Sequence, residues 1–282
     1  MSNQPAKGGT PPPTRRERRE IARRDRRLAE ARTAAARPAW QSPMVLVTVA
    51  AVAFGLVVIL LASGVLGGRG SASTGELLVP IRPTPTELVD PANPRALGPA
   101  DAPVTVEVWS DFQCPACGFW AIQVEPDLVD EYVKDGSVHF IYRDMAFLDG
   151  GKPNGESQQS AAAARCAGDQ GSFWPYHDYL YENQDGENEG AFSRERLDQI
   201  AEAVGLDMEA FDSCMSDSAA LEAVRAETAQ GQQAGLSSTP TLTINGVVQR
   251  PGAIPMEDTS SGPGLRTLIE AELAKASPTP AP

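Results

Sequence analysis

Histidine is nearly missing from this chain. Its 282 residues hold two, His139 and His177, beside four cysteines, Cys114, Cys117, Cys166 and Cys214. A structural zinc site takes four ligands. The close pair Cys114 and Cys117 would have to recruit Cys166 and Cys214, which are remote and form no second Cys-x-x-Cys. Ligand count therefore argues against zinc, and neither a metal nor another cofactor is expected. Aromatic residues make up only 6% of the chain, and none interleaves with the arginines of residues 15–37. That weakens a nucleic-acid reading. The charge weakens it further: the chain carries −13, of which residues 1–43 contribute +7, so the remainder carries −20. A phosphate backbone needs cations against it. No internal repeat is present.

One stretch lacks charge altogether. Met44 to Leu66, MVLVTVAAVAFGLVVILLASGVL, would span about 34 Å as a helix at ~1.5 Å per residue, enough for a hydrocarbon core of ~30 Å. A cleaved signal peptide is the competing reading, but it needs a shorter apolar core nearer the N-terminus. Residues 44–66 are therefore expected to be a membrane anchor. The basic residues 1–43 stay cytoplasmic, by the positive-inside rule, and the rest lies outside the cell membrane. Glu and Arg alternate within residues 15–27 at helical spacing, as in a solvated helix. Contact with anionic lipid headgroups and a bare topology signal are the two readings of that segment. Residues 67–100, rich first in Gly and Ser and then in Pro, read as a spacer. Within it, Leu77–Ile81 or Leu88–Val89 are apolar enough to pack on the next domain. Residues 101–276 form that domain, and 277–282 a disordered tail.

Val104–Trp109 alternates as a strand, with Val104, Val106 and Val108 on one side. Cys114 follows after a short loop, in the N-cap position of a helix opened by Pro115, whose missing N–H costs nothing there. Pro126 should interrupt that helix. Asp127–Lys134 resumes it, and Gly136 stops it. Val138–Tyr142 reads as a second strand. Ser157–Ala167, Phe173–Tyr181 and Ser193–Val204 follow as helices, the last with a Ser cap and Gly205 as stop. Asp207 or Ser218 caps the helices that end near Gly235. Asn245-Gly246 between Thr241–Ile244 and Val247–Gln249 is a hairpin signal. A last helix fits Pro263–Lys275. The order implies an α/β fold whose helical block, about residues 154–235, is too long for an ordinary connection and reads as an inserted subdomain.

The spacing of Cys114 and Cys117 carries the chemistry. The thiolate is the nucleophile in disulfide exchange. At a helix N-terminus, unpaired N–H groups and the positive end of the helix dipole favour the Cys114 thiolate. Cys117 lies one turn on, close enough to close a disulfide and resolve a mixed one.

Asp111-Phe112-Gln113-Cys114-Pro115-Ala116-Cys117 resembles the active site of the DsbA-like thiol:disulfide oxidoreductases of the thioredoxin superfamily. Four stretches agree: Ala102-Pro103-Val104, Ile141-Tyr142-Arg143-Asp144, Cys166 with Phe173-Trp174-Pro175-Tyr176-His177-Asp178, and Ser238-Thr239-Pro240-Thr241. The likeness covers about residues 100–275 and is nearest to the membrane-tethered, actinobacterial type. It implies a thioredoxin fold with an inserted helical subdomain, preceded by one transmembrane helix. It also implies that Pro240 is cis and walls the active site beside the disulfide, with Thr239 presenting a backbone edge to substrate. From the residues alone, a trans Pro opening a strand is the plainer reading. A membrane redox partner of DsbB or vitamin K epoxide reductase-like type is implied as well.

The sequence departs from the family twice. Pro-Ala stands between the cysteines where many strong oxidants have Pro-His. The buried acid found six residues before the first cysteine is here Val108. Glu107, one residue off, points to the opposite face, and Asp111 is the remaining alternative.

Cys166 and Cys214 fall in helical segments of the insertion, 48 positions apart. A bond between them would contribute about 4 kcal/mol in the chain-entropy model, and they read as a structural staple. A second redox pair is the alternative. Phe173, Trp174, Tyr176 and Tyr179 read as core and His177 as a packed side chain. The acidic Asn183–Gly190 lacks EF-hand spacing and reads as a solvated loop. Phe112, Phe119 and Trp120 divide between core and an apolar patch for unfolded clients.

Three functions remain. The first oxidises cysteine pairs in client proteins of the cell envelope. The second is a reductase or isomerase kept reduced by a membrane donor. The third is a tethered binding or chaperone domain whose cysteines are all structural.

Overall fold

The computed structural model describes residues 19–20, 22–28, 30, 76–150 and 152–276. The chain divides into two units, Met1–Arg69 and Gly70–Pro282. In the first, residues 22–28 are helical and exposed, and Arg26 pairs with Glu30 across one turn at 3.7 Å. The expected anchor, residues 44–66, the Gly/Ser part of the spacer and the tail 277–282 lie outside the described residues. No helix among the described residues is long and apolar enough to cross a membrane.

The second unit is built on a six-stranded sheet of order β1-β2-β4-β3-β5-β6. The strands are β1 (Val89–Asp90), β2 (Asn93–Leu97), β3 (Val104–Ser110), β4 (Val138–Asp144), β5 (Thr241–Ile244) and β6 (Val247–Val248). β3 is central. It runs parallel to β4, from Val104 opposite Val138 to Ser110 opposite Asp144. It runs antiparallel to β5, with Trp109 opposite Thr241. Val104, Val106 and Val108 are buried, as their alternation requires.

The sheet begins earlier than the sequence reading placed it. By composition residues 89–97 belong to the spacer, yet they form a hairpin whose second strand puts Ala96 and Leu97, both fully buried, opposite Ile141 and Phe140. Pro91 and Pro94 disguise it. They read as linker, but Pro91 falls in the turn between the two strands and only Pro94 lies in one, near the start of β2.

α1 (Pro115–Gln123) crosses from β3 toward β4. It ends before Pro126, and α2 (Glu125–Leu128) follows at once. A π-turn over Val129–Val133 then leads to Gly136, whose φ of +81° only glycine adopts freely. Between β4 and β5 lies the insertion: α3 (Glu156–Asp169), α4 (Phe173–Glu182), α5 (Arg194–Val204), α6 (Met208–Ser216) and α7 (Ser218–Gln233). α8 (Leu265–Ala276) closes the unit. Asp207 caps α6, accepting from the N–H groups of Glu209 and Ala210. Asp217, rather than Ser218, caps α7. Ser193 stands at the N-cap of α5 without a side-chain cap bond. Asn245 and Gly246 both have positive φ, as the hairpin turn between β5 and β6 demands.

One apolar core runs through both halves, from Val106 and Phe140 of the sheet to Trp174, Leu197 and Phe211 of the insertion. Cys166 of α3 and Cys214 of α6 are joined by a disulfide. The last part of the spacer lies on this body. Leu78 exchanges both backbone bonds with the Asn183 side chain, at 2.8 and 2.9 Å. Arg82 pairs with Asp127 and Asp130. Thr84 donates its N–H and its hydroxyl to Asp178. Asn183–Gly190 is likewise no purely solvated loop: Asn183 is buried, and the Asn188 N–H reaches Gln113 Oε1 at 2.6 Å.

Candidate active site

β3 ends at Ser110, and Asp111–Gln113 turn the chain into α1. Asp111 holds that turn. Its carboxylate accepts from the N–H groups of Gln113, Phe147 and Leu148 at 2.9–3.1 Å. Burial lifts this carboxyl to about 6 against those bonds. Cys114 then takes the N-cap position with extended backbone, Pro115 opens the helix, and Gly118 N–H closes its first turn on Cys114 O.

Cys114 and Cys117 carry free thiols, both buried, Cys117 the deeper at 1% exposure against 7%. The Thr239–Pro240 peptide is cis, and Cys114 Sγ lies 3.4 Å from Thr239 O. Thus Cys114, Cys117, Thr239 and Pro240 meet at one place, whereas Cys166–Cys214 joins two helices of the insertion.

The two thiols differ electrostatically. The Cys117 thiol donates to Cys114. Burial opposes the resulting charge, while Thr239 and the N–H groups of Cys117 and Ala116 favour it, and the Cys114 thiol falls to about 6. Burial pushes the Cys117 thiol well up, and the Cys114 charge adds to this. The Ser110 hydroxyl and the Asp111 N–H pull it partly back. One sulfur is therefore a thiolate near neutral pH, and its neighbour is held protonated. Such a pair suits thiol–disulfide exchange.

Neither acid considered from the sequence serves Cys117 with its carboxylate. Glu107 is bound on the other face by Arg143, at 2.7–2.8 Å, and by the Thr243 hydroxyl at 2.6 Å. Asp111 reaches Cys117 through its backbone. The side chains beneath the thiols are instead hydroxyls. Ser110 Oγ and Tyr181 Oη are 2.6 Å apart, and Tyr142 Oη is 3.4 Å from Tyr181 Oη. Gln184 Nε2 donates to the carbonyls of Phe112 and Cys114. The sequence does not reveal the roles of Ser110, Tyr142, Tyr181 or Gln184, although Tyr142 stands in the family-like stretch Ile141–Asp144, because those roles come from pairings across 32 to 72 positions of chain.

Phe112 and Trp120 are core, while Phe119 stays 58% exposed beside the thiols. His177 is enclosed by the rings of Phe112, Tyr142, Phe173, Trp174 and Tyr181. Its Nε2 lies 3.8 Å from Glu125 Oε2, and its Nδ1 bonds Asp178 at 2.9 Å. Among the described residues these three form the one group of potential metal donors. Asp178 is already occupied by Thr84 and His177. Glu125 is pushed well above the carboxylate range by burial, with the Asp178 charge adding.

A thioredoxin family model matches residues 91–261. The "Probable disulfide bond formation protein D" of Bacillus anthracis is 32% identical over 161 residues, which cover 56% of this chain and 72% of that protein. The Na(+)/H(+) antiporter NhaA 3 of Salinispora tropica is also 32% identical, over 158 residues, but this chain spans only 22% of its length. Among solved structures, oxidised BdbD from Bacillus subtilis has a TM-score of 0.54 at 24% identity, covering 71% of this chain and 100% of that one. Wolbachia pipientis alpha-DsbA1 has a TM-score of 0.55 at 18% identity, covering 68% and 98%. Both likenesses concern the fold.

Proposed function

This chain belongs to the thioredoxin family and is a DsbA-like thiol:disulfide oxidoreductase, and from that premise we propose that it oxidises cysteine pairs in secreted or cell-envelope proteins through Cys114 and Cys117. The observation that carries this reading is the asymmetry of the two thiols at the start of α1.

In the oxidised enzyme a client thiolate attacks Cys114 Sγ. The Cys114–Cys117 bond breaks, and Cys117 leaves and takes up a proton. A second client thiolate attacks the client sulfur of the mixed disulfide. Cys114 leaves as a thiolate, which its surroundings favour. Two electrons have passed from client to enzyme. A membrane partner of the DsbB or vitamin K epoxide reductase-like class removes them. Thr239, whose carbonyl faces Cys114, and Pro240 wall the site, and the client backbone lies along that edge. Residues 44–66 anchor the enzyme, the N-terminus is cytoplasmic and the catalytic domain is extracytoplasmic. The apolar, uncharged run and the basic segment before it support that placement.

A reductase or isomerase uses the same dithiol. Pro115-Ala116, which puts no cation between the sulfurs, is the observation on its side. The reduction potential of the Cys114–Cys117 couple separates the two. The oxidase reading expects a value well above the roughly −270 mV of thioredoxin; a value near that one sinks it. Mass-resolved alkylation after mild reduction tests the site itself. Cys114 should label fast with a midpoint near pH 6, while Cys166 and Cys214 stay bonded. Equal resistance of all four cysteines would mean structural disulfides only.

A further inference from the structure

We propose that Gln184 is a positioning residue for Cys114: its side-chain amide, reaching back from the loop after α4, pins the carbonyls of Phe112 and Cys114 and keeps the start of α1 receptive to negative charge on the sulfur. The inference rests on the assignment of Cys114 as the nucleophile.

Gln184 Nε2 donates to Phe112 O and, at 3.1 Å, to Cys114 O. Only the amide nitrogen can serve there, since both partners are acceptors. The two bonds bracket Gln113, whose own side chain is held by Asp149, Ser157 and the Asn188 N–H. The chain entering Gln184 is fixed as well. The Asn183 side chain, one residue earlier, bonds Leu78 and the Tyr179 carbonyl. The Cys114 carbonyl belongs to the residue that carries the reacting sulfur, and it also accepts from Gly118 N–H at 3.0 Å. A carbonyl dipole left free beside the sulfur opposes a thiolate, whereas an amide donor on that carbonyl sets positive charge against it.

Gly118 is a separate sign of this arrangement. It is buried inside α1, where glycine weakens a helix relative to alanine. Its φ is not positive, so the backbone does not require glycine. The space does. A methyl group at 118 would overlap Gln184 Oε1 and stand 2.8 Å from its Cδ. One side chain is left out of α1, and the Gln184 amide fills the gap.

The titratable groups around this turn are Cys117 on α1, Asp111 after β3, Asp149 in the loop after β4, Tyr181 and Glu182 on α4, and Asp185 beside Gln184. Of these, Cys117 acts on the Cys114 sulfur directly. The Asp111 carboxylate is taken up by the N–H groups of Gln113, Phe147 and Leu148, and Asp185 is exposed.

The test titrates the reduced full chain with iodoacetamide and reads Cys114 by mass-resolved alkylation. Gln184→Met keeps the length of the side chain and removes the donor. Gly118→Ala keeps Gln184 and displaces its amide. Each should raise the Cys114 midpoint by about one unit above the wild-type value of about 6. Gln184→Glu, of the same shape but with acceptors facing the two carbonyls, should raise it further. The double variant of Gly118→Ala with Gln184→Met should move it no more than the larger single shift, since both act on one amide. The Cys114–Cys117 potential should fall in step, because the reduced form loses part of its favoured charge. A clamp that only holds the loop lowers the urea midpoint and leaves the titration where it was. A Cys114 midpoint that stays near 6, or falls, in any of these variants that unfolds cooperatively in urea would therefore overturn the inference, and so would additive shifts in the double variant. If Cys114 of the wild-type chain labels no faster than Cys117, the assignment of the thiols fails instead.

Discussion

Glu227 sits among Arg95, Arg143 and Arg165, with oxygens 2.6–3.0 Å from each. Burial alone would raise its carboxyl, but the Arg95 bonds and charge, the Asp144 N–H and Arg165 outweigh it and hold the group at about 2. Glu125 has no such company. It is buried against His177 with Oε2 unbonded, and its carboxyl rises. The signs differ accordingly. Glu227 contributes stability above the ordinary carboxylate range, lost as pH falls toward 2. Glu125, with a raised value in the folded state, keeps more protons folded than unfolded, so stability falls as pH climbs past the ordinary value near 4.5. Glu125→Gln should therefore match wild type in acid and become the more stable protein as pH rises to neutrality, by urea midpoint. A constant difference across that range would refute the buried-acid reading. Such residues were illegible in the sequence. Cys114 and Cys117 announce themselves by spacing within four positions. The partners of Glu125 and Ser110 lie far along the chain, and no local pattern encodes them.

At the scale of the element, α7 approaches the sheet at Gly231. A methyl group there would stand 2.9 Å from Met145 Sδ and from two ring carbons of Trp109. Gly231→Ala gains helix propensity yet must push apart a buried indole and thioether. The net expectation is a loss of about 1–3 kcal/mol, read as a lower urea midpoint at unchanged slope. A more stable variant would mean that α7 shifts freely. Elements with a strong local signal were legible: the alternation of β3, Pro115 opening α1, the Asn245-Gly246 turn. Those that depend on pairing were not. Residues 89–97 carry two prolines and become strands only because β4 offers an edge. The cap of α7 slipped by one residue, from Ser218 to Asp217, since both types cap well.

Over the whole molecule, the sheet and the insertion share one core, with Cys166–Cys214 tying α3 to α6 inside the insertion. Cys166→Ser with Cys214→Ser should cost about 2–4 kcal/mol in unfolding free energy and leave the alkylation midpoint of Cys114 near pH 6. A displaced midpoint would tie the bond to the active site. The α/β class and the helical insertion were readable from element order; the early start of the sheet was not.

The docked end of the spacer has a mechanical consequence. A pull on the N-terminal side of this unit meets Leu78 on Asn183, Arg82 on Asp127 and Asp130, and Thr84 on Asp178 before it reaches β1. Load is thereby shared between the end of α4 and the stretch from α2 into the π-turn, and β3 with α1, whose first turn holds the thiols, is shielded from tension.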